Sequence, residues 1–181
     1  MPRRRLLGLL IVLAVVVATA LVLERLRPRA PAQTSLLGIR ADDVVAIRVR
    51  EGTRELRAAR PGAVWLIEAP LAARPDAPAA VAEMVDVLAA LVPVDTFERR
   101  EIDRRDLGLD PPRARIEIDV RGLVEQVVLL LGDYVPTGGS VYGALASERS
   151  VHQIGAGIVS EMEKAFYRTL PDEEGEGASG R

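Results

Sequence analysis

From Leu6 to Leu23 the chain runs eighteen residues without a charge, and beyond residue 35 that uniform apolar pattern gives way to short periodic segments. Residues 43–50 alternate, with Val45, Ile47 and Val49 on one face; Glu51-Gly52 marks a turn and residues 53–59 return as a partner strand. Pro61-Gly62 punctuates, and residues 63–68 form a third strand around Trp65. Asp76 is then placed as the N-cap of a helix that tolerates Pro78 in its first turn. Val81, Met84, Val85, Leu88, Leu91 and Val92 follow at helical spacing, and Pro93 ends the helix. A strand over 94–102 leads to the tight segment 106–112. A second hairpin follows, with Ile116, Ile118 and Val120 alternating, a turn at Arg121-Gly122 and a return over 125–131. Residues 134–140 form a loop, 141–146 and 150–154 two short strands, and Ile158, Met162, Ala165 and Phe166 line a last helix that stops near Pro171.

These elements predict an α+β domain over residues 36–171: a mixed, mostly antiparallel sheet with two packed helices, preceded by one N-terminal transmembrane helix. The order hairpin, strand, helix occurs in residues 43–92 and again in 114–170, a two-fold pseudo-repeat that common α+β geometry explains as well as duplication does. Residues 24–35, rich in Pro and Arg, form a stalk. The acidic, glycine-rich residues 172–181 have the composition of a disordered tail.

As a helix, residues 6–23 span about 27 Å, close to the roughly 30 Å hydrocarbon core of a bilayer. Arg3, Arg4 and Arg5 precede the run, and Arg25, Arg27 and Arg29 follow it, so long basic side chains reach the headgroups at both ends. A cleaved signal peptide is the competing reading, because Ala18-Thr19-Ala20 fits a small-x-small site. The apolar run continues past that site through Leu23 without Gly or Pro, which favours retention. The flanking charges nearly balance; the terminal amine on one side and Glu24 on the other tip the count towards residues 1–5 in the cytoplasm and the domain outside. The expected location is therefore the inner (cytoplasmic) membrane, single-pass, with lipid contacted through Leu6 to Leu23.

Charge and composition narrow the function. The net charge is −2, yet six arginines against Glu24 leave residues 30–181 at −7, which argues against a nucleic-acid partner. There is no cysteine, so disulfides, thiolate metal sites and cysteine nucleophiles are excluded. With aromatics at 3%, the core is built from Val, Leu, Ile and Ala.

No catalytic constellation stands out. His152 is the only histidine, and a metal site needs three or four ligands, so a structural or surface role is expected. Residues 132–140, with Gly138 and Gly139, lack the lysine and following helix of a phosphate loop and are read as turn chemistry. Asp103, Asp106 and Asp110 lack the calcium-loop pattern; Asp106 is expected to cap a turn. Ser140, Ser147, Ser150 and Ser160 stand in no nucleophile elbow. Glu161, Glu163 and Lys164 read as a solvated helix face. Catalytic, cofactor-binding and metal residues are accordingly expected to be none.

One pattern spans these segments. Trp65 to Pro70, the helix over 81–91, Asp106-Leu-Gly-Leu-Asp-Pro-Pro112, Leu130-Leu-Gly132 and Val141-Tyr-Gly-Ala144 follow in order. In this the chain resembles a bacterial membrane-anchored envelope family, domain of unknown function 4340 (DUF4340), over roughly residues 43–170. The resemblance implies an accessory envelope protein, some relatives of which accompany transporter components of the gliding-motility type, and it defines no catalytic residue. Three functions are carried forward: a non-catalytic accessory or scaffolding protein with an envelope or transporter partner; an extracytoplasmic module binding peptide or glycan in a groove between the sheet and the Gly138-Gly139 loop; and a hydrolase, which two convergent carboxylates in a pocket would support.

Overall fold

The strands expected from alternation all form, and they join one sheet. The computed structural model describes residues 35–70, 73–98 and 103–169. The elements are β1 (Val44–Glu51), β2 (Arg54–Ala59), β3 (Leu66–Ala69), α1 (Ala77–Ala89), β4 (Pro93–Phe97), β5 (Ala114–Val120), β6 (Val127–Tyr134), β7 (Ser140–Leu145), β8 (Val151–Gly155) and α2 (Gly157–Thr169). The strand order is β3-β2-β1-β5-β6-β7-β8-β4. Every pairing is antiparallel, so the sheet is not mixed as expected: each neighbour arrives by a hairpin or a return crossing, and none needs the parallel crossover of a βαβ unit. The expected membrane segment 6–23, the stalk over 24–35 except Ser35, and the acidic tail 172–181 lie outside the described residues. Among the described residues no helix is long and apolar enough to cross a membrane.

Both helices pack on each other and share one hydrophobic core with a single face of the sheet. Ile47 and Val49 of β1 meet Ile118 and Ile116 of β5 across the ladder, and Leu56, Leu129, Leu131, Val141 and Ile154 extend that face. Against it lie Val81, Met84, Val85 and Leu88 of α1 and Ile158, Met162, Ala165 and Phe166 of α2. Burial of each large aliphatic side chain contributes about 1.5–3 kcal/mol. Trp65, just before β3, is 4% exposed in this core, with the Arg60 guanidinium 5.3 Å over its ring.

Several local expectations change. The ladder between β1 and β5 is irregular between Val44 and Ala46, and Val44, not Val45, is fully buried beside Ile47. The helix α1 stops at Ala89, before Pro93, and Pro93 opens β4 instead of merely ending a helix. Leu91 nevertheless stays in the core. Asp76 makes no side-chain cap; its carboxylate is taken by Arg168 of α2. The strand β3 starts at Leu66 and not at 63, and β4 ends at Phe97, with residues 99–102 outside the described ones.

The second face of the sheet is divided. Over β6, β7 and β8 the segment 103–112 lies as a cover, and Leu109 packs with Leu130, Ala144 and Val151 in a smaller apolar cluster. Two backbone features allow the cover to sit so close. Gly108 has φ +64, a conformation costly for a residue with a side chain, and the Asp133 amide donates to the Leu107 carbonyl at 2.8 Å. A Cβ on Gly132 would stand 2.1 Å from that same carbonyl oxygen. The Leu-Gly-Leu-Asp-Pro segment and the Leu-Gly strand end, far apart in sequence, are thus the two sides of one contact. The Asp110-Pro111 and Ala69-Pro70 peptide bonds are cis.

Gly132→Ala should therefore lower stability by about 1–3 kcal/mol, the usual range for forcing extra volume into packed structure. Denaturant unfolding of the purified chain measures it. Gly62→Ala, where an added Cβ meets nothing within 4 Å, is the near-neutral control.

Candidate functional site

Over β2, β1 and β5 the second face has no such cover among the described residues and carries charge. The side chains opposite the core positions form rows across the strands, because alternation sends neighbours to opposite faces. Arg57, Arg48 and Glu117 make one row, and Glu55, Arg50 and Arg115 the next. Ion pairs run between the rows: Arg48 with Glu55, Arg50 with Glu117, Arg115 Nε with Glu117 Oε1 at 2.8 Å, and Arg57 Nε with Glu55 Oε1 at 3.7 Å. The Glu117 side chain is only 11% exposed. Its burial alone would raise the pKa, but hydrogen bonds from Arg115 and Arg50, with their charges, outweigh that and hold it below the usual carboxylate value.

One step along the strands the row ends on small residues. Ala46 pairs with Ala59 on one side and Asp119 on the other. The missing side-chain volume leaves a cavity of about 220 Å³ lined by Ala46, Arg48, Arg57, Glu68, Glu117 and Asp119, together with Gln126. Gln126 Nε2 donates to Asp119 Oδ1 at 2.9 Å. Sequence reasoning missed this array. Its signal was present in the charged alternate positions of three strands, but their adjacency depends on which strands pair.

A second charged network closes the rim between the sheet and α2. Arg54 lies 4.7 Å over the Phe166 ring and donates through Nη1 and Nη2 to Glu163 at 2.9 Å. Arg54 also pairs with Glu51, which accepts from Arg113 Nε at 3.2 Å; Arg113 in turn stacks 5.0 Å over Tyr134. The hydrogen bond from Arg54, opposed by partial burial, lowers the Glu163 pKa, and its counterpart from Glu163 raises that of Arg54. Lys164 pairs with Glu83 of α1 and sits 3.6 Å from Glu161. The Glu161, Glu163 and Lys164 group, read from sequence as a solvated face, is partly exposed, and Glu163 and Lys164 also tie α2 to β2 and α1.

His152 proves buried, and a carboxylate the sequence reading did not place beside it is near. Thr96 Oγ1 lies 3.0 Å from Nδ1, and Glu148 Oε2 lies 3.6 Å from Nε2, too far for a hydrogen bond. Nε2 has no hydrogen-bond partner among the described residues. The ring links the edge strand β4 to β8.

The other singled-out residues do not converge. Asp103 Oδ1 accepts from the Arg105 amide, so Asp103 and not Asp106 holds that turn; Asp106 and Asp110 are exposed. Ser140 Oγ accepts from Gln153 at 2.6 Å, while Ser147 and Ser160 are exposed and Ser150 is half-buried. Gly138 and Gly139 form a positive-φ turn between β6 and β7, and the cavity at Ala46 lies elsewhere on the sheet.

The carboxylate shifts set a pH dependence. Glu117 and Glu163 have folded-state pKa values below their unfolded ones, so their contribution is complete above the unfolded carboxylate range, about 4.3 for Glu. It is lost as pH falls through the lowered folded values. Glu117→Gln should therefore be less stable than the parent at pH 7, and the difference should shrink at acid pH. Equilibrium unfolding from pH 7 to pH 3 checks both.

No curated protein matches the chain, and no solved structure matches it. The model of one family, described as "Domain of unknown function (DUF4340)", matches residues 65–166. That stretch runs from Trp65 through the cover segment and the Gly132 contact to Phe166 on α2, more than half of the chain. On that match the chain belongs to the DUF4340 family.

Proposed function

We propose that this protein is a membrane-anchored, non-catalytic accessory or scaffolding protein of the bacterial cell envelope, acting beside a transporter complex. The observation that carries this reading is the divided second face of the sheet. Half of it is closed by the 103–112 cover, while the half over β2, β1 and β5 offers fixed charges to a partner. Protein surfaces of this kind use charge to select and orient a partner more than to bind it tightly. The uncharged segment 6–23 supports the anchor, and the arginine count supports a domain on the extracytoplasmic side.

A second reading, an extracytoplasmic ligand-binding module, is favoured by the cavity at Ala46. Its volume of about 220 Å³ lies below the roughly 300–1,000 Å³ of drug-sized sites, which points to a small ligand and away from a peptide segment or glycan chain. Glu68 and Asp119 line it from β3 and β5, with β2 and β1 between them, and not as the convergent pair a hydrolase would need. Glu117, the carboxylate the arginines enclose, has its pKa lowered, which suits it poorly to act as a general acid.

Membrane fractionation tests the anchor. The full chain should stay with the membrane pellet after high-salt and alkaline washing, and a chain lacking residues 1–29 should be released. Added protease should reach the domain in spheroplasts. Affinity purification in mild detergent should then recover a membrane-complex subunit; recovery of the chain alone in several detergents would sink the scaffold reading.

A further inference from the structure

Among the described residues five aliphatic side chains are more than half exposed: Val64, Leu66, Val94, Leu123 and Val124. Four of them lie at one end of the sheet. Val44, the first residue of β1, pairs with Val120 of β5, and the Arg121 amide donates to the Asp43 carbonyl at 2.7 Å. The β5–β6 turn therefore projects from the end at which β1 begins. Leu123 and Val124 form its tip, and Val124 is fully exposed. Ala59 pairs with Leu66, and the Arg60 amide donates to the Val45 carbonyl at 2.7 Å, which brings Val64 and Leu66 to the same end from the β2–β3 turn. Only β1 separates β2 from β5, a gap of about 10 Å at roughly 4.8 Å per strand. Single exposed aliphatic residues are ordinary, but a group gathered at one end marks a contact surface. At the opposite end, the Gly52-Thr53 turn and residues 136–139 carry no exposed Val, Leu or Ile.

From this arrangement we infer that the two turns dip into a lipid bilayer, so that Val64, Leu66, Leu123 and Val124 hold the domain to the membrane surface. The inference deepens the anchor reading and rests on it. Residues 24–34 connect the uncharged segment 6–23 to Ser35, and eleven residues extend to about 40 Å at most. A bilayer is thus the one apolar phase that the chain itself keeps within reach of these turns. Four aliphatic side chains bind lipid weakly on their own; the tether supplies the effective concentration that makes weak binding sufficient. Charge in and beside the turns favours no lipid class. Arg40, Arg60 and Arg121 are balanced by Asp42, Asp43 and Glu125, so the contact is apolar and does not depend on anionic headgroups.

Because the chain has no cysteine, one introduced cysteine carries a single nitroxide. The full chain is reconstituted in phosphatidylcholine vesicles with the label at Val124→Cys, or at Thr53→Cys on the turn at the opposite end. Collisions are measured with oxygen, which concentrates in lipid, and with an aqueous nickel chelate present on both sides of the bilayer. The label at position 124 should meet oxygen more often, and the chelate several-fold less often, than the label at 53. Raising salt from about 0.1 M to about 1 M, which shortens the Debye length from about 10 Å to about 3 Å, should leave the difference in place. Val64→Glu and Leu123→Glu, both outside the strands, should each move position 124 towards water, with thermal unfolding unchanged as the sign of an intact fold. Equal chelate contact at 124 and 53 overturns the inference, as does a difference lost at high salt. Shielding of 124 from both colliders also overturns it, because a protein partner or a second copy would then cover the tip. Vesicle flotation separates the two readings. A chain that does not float sinks the anchor and this inference together, whereas a chain that floats with position 124 in water sinks the inference alone.

Discussion

Strands β1 and β5 lie at the middle of the sheet, and their antiparallel pairing joins what would otherwise be two separate layers. On one side of that pair β2 and β3 continue outwards; on the other β6, β7 and β8 do, with β4 returning to the far edge. The pairing works on both faces at once. Ile47 opposite Ile118 and Val49 opposite Ile116 supply the apolar floor on which α1 and α2 pack, while Arg48 opposite Glu117 begins the charged array behind it. A slip of one residue would exchange the two faces and put guanidiniums under the helices, so the register is set by burial.

With both helices on one face, the other had to be satisfied differently. The protein uses two solutions side by side. Near β6 to β8 the backbone of 103–112 comes down onto the sheet, which Gly108 and Gly132 permit, and Leu109 fills a small second core. Near β2, β1 and β5 no such cover exists among the described residues, and diagonal arginine–glutamate pairs complete the surface. Of the motif residues, those in 106–112 and Leu130 to Gly132 belong to the first solution, while Trp65 and the stripe from Val81 to Leu88 lie in the main core. The functional reading belongs to the second, where charge is held in a defined pattern and open to solvent.

Much of the domain was legible residue by residue. Alternation in 43–50 and 114–120, the turn signals at Gly52 and Gly122 and the apolar stripe from Val81 to Leu88 are local consequences of strand and helix geometry, and the elements formed where they pointed. The failures were equally physical. Val44 displaced Val45 from the core because the β1–β5 ladder is irregular there. Asp76 gave up a cap for an ion pair with Arg168, ninety-two positions away. That Thr96 lies against His152 was not legible either, because the two meet only when β4 crosses to the far edge and pairs with β8.

By itself the sequence determined the class of the domain, the approximate place of each strand and helix, and the contrast between the uncharged segment 6–23 and the acidic remainder. Those properties follow from periodicity and composition within short windows, where each residue's neighbours along the chain are enough. Only the tertiary structure decided that all eight strands share one antiparallel sheet, that Leu107 meets Gly132, and that Ala46 leaves a pocket lined by charges from β1, β2, β3 and β5. Each of these depends on which strand lies beside which, and that choice is made by burying one common face, a sum over residues distant in sequence that no local pattern contains.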